Sequence, residues 1–162
     1  MRARGARLEE IEAVYRRRVH EFRGVAAAIL RDREAAFDAV QDAFALAVRR
    51  RASFRGAGSL DAWLWRIVVR TALDAARRRP HEGLAVTPAD TGNGHRPHAH
   101  DDVQQAIASL PERQRLALFL RYYADLGYRE IADVLGVEVG TVSASLSAAH
   151  AAVRRRLEEV EA

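Results

Sequence analysis

Residues 125–150, DLGYREIADVLGVEVGTVSASLSAAH, constrain the fold more than any other stretch of this chain. Ala132 is small, as required where one helix passes close to another. Gly136, four residues on, suits a turn that needs positive φ, which glycine adopts at least cost. Val142, six residues further, supplies an apolar pin in a second helix. Ile131, Val134, Leu135, Val139 and Leu146 fill the apolar positions around these three. The spacing predicts a helix-turn-helix over 128–150, a unit whose second helix enters the major groove when it binds duplex DNA. That second helix, expected over Thr141–Ala149, carries neither Arg nor Lys.

The rest of the chain also reads as helix. Leu8 to about Leu30 has apolar residues at the i, i+3, i+4 spacing of one buried face: Leu8, Ile11, Val14, Tyr15, Val19, Phe22, Val25, Ala26 and Ile29. Asp32 is placed to cap a second helix reaching about Arg51, with Glu34 in its first turn and Phe37, Val40, Phe44 and Val48 on one stripe. Phe54–Ser59 forms a tight loop, and Ser59 caps a third helix that Pro80 stops near Arg79. Residues 80–100, rich in Pro, Gly, Asn, Asp and Thr, have no helical period and read as a flexible linker. A short helix from Asp101 to Leu110 follows. The next, PERQRLALFLRYY, is expected to bury Leu116, Leu118, Phe119, Leu120 and one of Tyr122 and Tyr123. The helix-turn-helix comes last, its second helix running on through Leu157. No strand pattern occurs. The expected fold is all-α, with two small helical domains, 8–79 and 101–158, joined by a flexible linker.

Charge and composition narrow the function. All 26 basic residues are Arg. Residues 1–79 hold 18 Arg against 10 acids, a net +8, whereas residues 101–162 hold 7 Arg against 10 acids, a net −3. The charge that suits a polyanion lies in the first half, away from the helix-turn-helix. There is no Cys, hence no disulfide framework and no thiolate nucleophile or metal site. No apolar run reaches the ~18 residues a membrane span needs, and the basic N-terminus lacks an apolar signal core, so a cytoplasmic location is expected. His81, His95, His98 and His100 cluster in the linker and read as solvated residues rather than as a metal site. No paired nucleophile, base and acid can be recognised, so neither an enzyme, a cofactor nor a small-molecule substrate is expected.

Segment 53–79, SFRGAGSLDAWLWRIVVRTALDAARRR, joins aromatics to Arg. Trp63 and Trp65 are two apart and cannot share a helix face, so one should enter the core and the other stay partly exposed. Arg66 and Arg70 are spaced i, i+4. Aromatic rings with guanidinium groups suit melted nucleic acid, where bases stack and phosphates pair with Arg. The same spacing also describes a core Trp beside a solvated Arg face.

Three words in the first half, AFDAVQDAF (36–44), FRGAGSLDAWLWRI (54–67) and ALDAARRR (72–79), resemble the region-two domain of extracytoplasmic-function sigma factors. LPERQR (110–115), RYYADLGYREIA (121–132) and GTV (140–142) resemble their region four. The likeness runs in family order from about Leu8 to Leu157. It implies a specificity subunit that brings bacterial RNA polymerase to promoters and assists their opening. Region two of the family docks on the clamp helices of the polymerase β′ subunit and holds a flipped base of the minus-ten element. Region four binds the duplex minus-35 element and the flap of the β subunit. Some members have an anti-sigma protein as a further partner.

Carried onto this chain, the resemblance places Asp38, Gln41, Asp42 and Phe44 on the polymerase-docking helix. Ser53, Phe54, Arg55 and Ser59 fall in the loop that reads the minus-ten base. Trp63, Trp65, Arg66 and Arg70 fall near the melting edge, and Arg129, Thr141, Ser143, Ser145, Ser147, His150 and Arg154 face the minus-35 element. Without the resemblance, Asp38 and Asp42 read as an ordinary solvated helix face. The 21-residue linker spans about 70 Å if extended, enough for two modules on separated promoter elements.

The chain departs from the family where Lys or Arg usually follow Gly-Thr-Val: here stand Ser143, Ser145, Ser147, Ala148 and His150. Serine can donate to base edges but releases no counterions. Arg113, Arg115, Arg129 and Arg154–Arg156 remain as sources of backbone contacts. Either the upstream contact is weak and region two does more, which the charge distribution favours, or region four mainly binds protein. The alternatives to a sigma factor are a helix-turn-helix regulator that acts without polymerase and a protein-binding adaptor.

Overall fold

The computed structural model describes residues 5–79 and 99–162, with side chains in the second stretch from Asp102 onward. The linker expected over 80–100, with its His81, His95, His98 and His100, thus lies outside the described residues apart from the backbone of its last two. The described residues form seven α-helices and no strand. They fall into two compact units, one built chiefly from the helices before residue 80, with Asp133–Gly136 grouped with it, and one from the rest of the chain after residue 98. No single helix among the described residues is long and apolar enough to cross a membrane.

The first unit holds α1 (Leu8–Leu30), α2 (Arg33–Arg50) and α3 (Leu60–Arg78), each packed on the other two. Phe22 sits at the centre, its ring 4.3 Å from Trp65 of α3 and 5.1 Å, edge-on, from Phe44 of α2. Val25, Val40, Val68, Val69 and Ala43 close the core around them. Burial of this many large side chains, each contributing ~1.5–3 kcal/mol, is what orders the three helices. Phe37, expected on the buried stripe, is exposed. Helix α1 offers it the Arg23 guanidinium, 4.6 Å from the ring centroid, rather than an apolar neighbour.

Short polar side chains set the corners. Asp32 accepts from the Glu34 and Ala35 amides at 2.9 and 3.0 Å and starts α2, as expected. Arg79, extended ahead of Pro80, reaches back from the end of α3. It donates to Asp32 Oδ2 at 2.6 Å and to the Leu30 carbonyl at 3.3 Å. The Ala35 amide and Arg79 hold the Asp32 carboxyl below the usual carboxylate range. A group whose pKa is lowered on folding contributes stability that is full above its unfolded pKa and is lost as pH falls through the folded value. The melting-temperature gap between the native chain and Asp32→Asn should therefore hold constant from pH 7 to about 5 and close below about pH 4. A gap that widens on acidification would contradict this assignment.

The second unit holds α4 (Ala99–Ala108), α5 (Glu112–Leu118), α6 (Tyr128–Leu135) and α7 (Val139–Glu161), with α4 and α5 packed against α7. Helix α5 runs into a π-helical turn, Phe119–Tyr123, in which the Ala124 amide donates to the Phe119 carbonyl at 3.0 Å. The wider turn leaves both Tyr122 and Tyr123 exposed, whereas the sequence pattern expected one of them inside. Arg115 also differs from expectation. Its Nη1 donates to the Ala108 and Leu110 carbonyls at 3.3 and 3.5 Å, satisfying the end of α4 rather than facing a phosphate.

Candidate nucleic-acid and polymerase interfaces

Helix α2 carries the four residues expected at the polymerase, and the fold divides them between two sides. Asp38 and Asp42, one turn apart and exposed, line a groove of about 400 Å³ between α2 and α3 with Leu46, Arg49, Asp74 and Arg78. Gln41 and Phe44 lie about 100° round the helix, against α1. Gln41 Nε2 donates to the Tyr15 hydroxyl at 2.9 Å. The Phe44 ring is buried, 4.8 Å and edge-on from Tyr15. Phe44 is thus a core residue, and its expected role as a contact fails on burial. Asp38 and Asp42 present the open carboxylates.

The loop expected at the minus-ten base begins with a 3₁₀ turn, Arg51–Ser53, in which Ser53 Oγ donates to the Arg50 carbonyl at 2.7 Å. Gly56 and Gly58 hold φ of 71° and 106°, with open space where a Cβ would stand. Such backbone is accessible to glycine and strained for other residues. Ser59 ends the loop by accepting from the Ala62 amide at 3.0 Å. Arg55 is exposed, and Phe54 leans on Trp63 with ring centroids 5.6 Å apart.

Helix α3 continues that surface. At 100° per residue, Trp63, Arg66, Arg70 and Arg77 fall within one stripe, and Trp63 is half-buried while the three Arg are exposed. Trp65 points the opposite way and is fully enclosed. Its expected place at the melting edge is therefore corrected: it supports the core, and of the two tryptophans only Trp63 keeps part of its ring at the surface. At the helix start, Asp61 accepts from Arg17 Nη2 at 3.2 Å and pairs with Arg18 Nε at 3.1 Å, tying α3 to α1. Two residues apart in sequence, Trp63 and Trp65 gave a signal for opposite faces but not for which face was inner. The ties made by Asp61 and Arg79 had no local signal, because each spans more than 40 residues.

In the second unit α6 and α7 meet at a bend of 100° across the turn at Gly136, whose φ is 67°. The Val137 amide donates to the Ala132 carbonyl at 3.0 Å. Glu130 accepts from the Gly127 amide at 2.9 Å, closing the start of α6. Ile131, Val134, Val142, Leu146 and Ala149 are buried. This is helix-turn-helix geometry. Helix α7 starts at Val139, a half-turn before the expected Thr141, which leaves Val139 exposed at its tip.

Along α7, Ser143, Ser147, His150 and Arg154 are exposed and Thr141 is half-buried, and Arg129 on α6 is exposed. Ser145 is buried, so it is withdrawn as a DNA contact. His150 is engaged by Tyr122, Nε2 to hydroxyl 2.9 Å, with the rings 5.6 Å apart. Among the described residues no group of three His, Asp or Glu is disposed as a metal site.

Residues 14–81 match the Sigma-70 region 2 family and residues 100–153 the Sigma-70, region 4 family. The RNA polymerase sigma-H factor of Pseudomonas aeruginosa is 33% identical over 158 residues, covering 86% of this chain and 81% of that protein. The ECF RNA polymerase sigma-E factor of Escherichia coli K12 is 32% identical over 139 residues, covering 75% and 73%. The chain belongs to the extracytoplasmic-function sigma factors. It directs RNA polymerase in transcription initiation, with core polymerase and promoter DNA as its partners. A solved sigma factor, RpoE of Bartonella quintana bound to the anti-sigma factor NepR, shares the fold with this sigma factor. The TM-score is 0.74 at 22% identity, over 93% of this chain and 98% of that one.

Proposed function

We propose that this sigma factor acts without catalysis of its own and places most of its hold on DNA, and the opening step, in region two. The carrying observation is the contrast between two helices. The α3 stripe offers Trp63, Arg66, Arg70 and Arg77 beside the Phe54–Arg55 loop, while the outward face of α7 between Thr141 and His150 offers hydroxyls, Ala148 and His150. Phosphate neutralisation supplies much of protein–DNA affinity, and only the first surface has the charge for it. Asp38 and Asp42 would meet the basic clamp helices of the polymerase. Flipping a base into the Ser53–Ser59 loop exposes edges that stacking hides. Region four would read the minus-35 duplex through Thr141, Ser143, Ser147 and His150, with Arg129 and Arg154 on flanking phosphates. The work is cytoplasmic, where the polymerase is, and an anti-sigma protein is a fitting regulator, since the solved relative RpoE was captured with one.

A second reading of region four has its own observation: Tyr122, Tyr123, Tyr128 and Val139 are all exposed in this unit, as at a protein-binding surface. One substitution separates the two. Ser143→Arg should tighten upstream duplex binding by the holoenzyme and steepen its salt dependence by about one unit of log–log slope. Loss of binding would make Ser143 a fitted base contact, and no change in affinity or slope would favour the protein-binding reading.

A further inference from the structure

The chain ahead of α1 does more than lead into it. Ala6 is buried, and its amide donates to the Arg51 carbonyl at 2.9 Å. Gly5 lies against the same turn. A Cβ on it would stand 2.7 Å from Ala52 Cα and 2.8 Å from the Arg51 oxygen. Both are backbone atoms, so no rotamer change relieves the clash. The Arg51 carbonyl also accepts from the Phe54 amide at 3.3 Å, and Phe54 leans on Trp63. One oxygen thus joins Ala6 to the first aromatic of the loop, while the glycines at 56 and 58 leave the far part of the loop compliant.

We propose that Gly5 and Ala6 form a strut that sets the position of the Phe54 end of the promoter-reading loop, making Gly5 a positioning residue for minus-ten recognition. This rests on the reading of residues 53–59 as the minus-ten loop. Its logic is preorganisation: a loop held in its bound geometry before DNA arrives loses less freedom on binding. Gly5→Ala pushes Arg51 and Ala52 away from their seat. Deletion of residues 1–6 removes the tie without any clash and leaves Arg7 to start α1, where its amide donates to Glu10 Oε2 at 2.8 Å. Two changes of opposite steric character should therefore give the same defect.

The test uses holoenzyme assembled from core polymerase and the full chain, with single-stranded DNA enriched from a randomised pool by the native holoenzyme as the probe. Gly5→Ala and the deletion are each expected to weaken that binding about tenfold. Core affinity should stay unchanged, melting temperature should fall only slightly for the lost Ala6 contact, and hydrogen exchange at the Phe54 amide should quicken. Phe54→Ala serves as the benchmark. If Phe54→Ala weakens binding while both strut variants bind like the native chain, the strut proposal is wrong. A matching loss of core affinity or melting temperature would reduce Gly5 to a merely structural residue and overturn it as well. If Phe54→Ala and Arg55→Ala both leave binding intact, the reading of the loop falls first, and the strut falls with it.

Discussion

Asp42→Arg should weaken binding of the chain to core polymerase by at least about a hundredfold, with no matching loss of folding. The side chain is exposed on α2, lines the open groove with Asp38 and Asp74, and enters none of the ion pairs among the described residues. Reversal changes the local charge by two and, on the proposed docking, would set Arg against a basic partner surface. Like charges brought together at an interface cost several kcal/mol, and each 1.4 kcal/mol is about tenfold in affinity. Asp42→Asn removes attraction without adding repulsion and should cost about tenfold. Gln41→Ala should cost less still, because Gln41 is turned toward α1 and bonded to Tyr15. The ranking is readable by fluorescence titration with core enzyme, alongside thermal melts. Native-like affinity in Asp42→Arg would remove the α2–α3 groove from the docking surface. A larger effect at Gln41 than at Asp42 would move docking to the α1 side of the helix.

The ranking could not have been drawn from sequence, and the reason is geometric. Asp38, Gln41, Asp42 and Phe44 are close in the chain and carry one family motif, yet α2 is packed on both α1 and α3, so its outer surface is split by angle. Helical periodicity did expose most of what depends on local pattern: the spans of α1 to α3, the caps Asp32 and Ser59, and the Ala132, Gly136, Val142 arrangement. What escaped it needed distant partners or a break in the period. The π turn at Phe119–Tyr123 shifted two tyrosines outward. Arg115 was drawn to the open carbonyls of α4. Gly5 lies against a turn 46 residues away, and nothing near it in the chain announces that contact. The charge imbalance, by contrast, is legible from composition alone, and the proposed division of labour between the two regions rests on it.

Trp63 and Trp65 offer the sharpest separation of structure from function. Trp65→Ala is expected to destabilise the first unit by about 3–5 kcal/mol, the usual cost of emptying a large aromatic site in a core. The ring is fully enclosed, 4.3 Å from Phe22, which in turn packs on Phe44, so the cavity would open at the junction of all three helices. Small domains have only about 5–15 kcal/mol in total, so a large share of this unit's stability would be lost. Trp65→Phe should be far milder. The indole nitrogen has no hydrogen-bond partner among the described residues, so replacing it breaks no bond seen there and removes a buried unpaired donor. Trp63→Ala should shift the melting temperature little, because it gives up chiefly the edge of Phe54. It should nevertheless impair promoter opening, scored by permanganate reactivity of unpaired thymines, more than it impairs duplex binding. Arg66→Ala, on the same stripe, should follow Trp63 rather than Trp65. Equal loss of stability in the two Trp→Ala variants would contradict the burial seen here. If Trp63→Ala weakened duplex binding and opening alike, the α3 stripe would be a docking surface for duplex DNA and not the edge at which it melts.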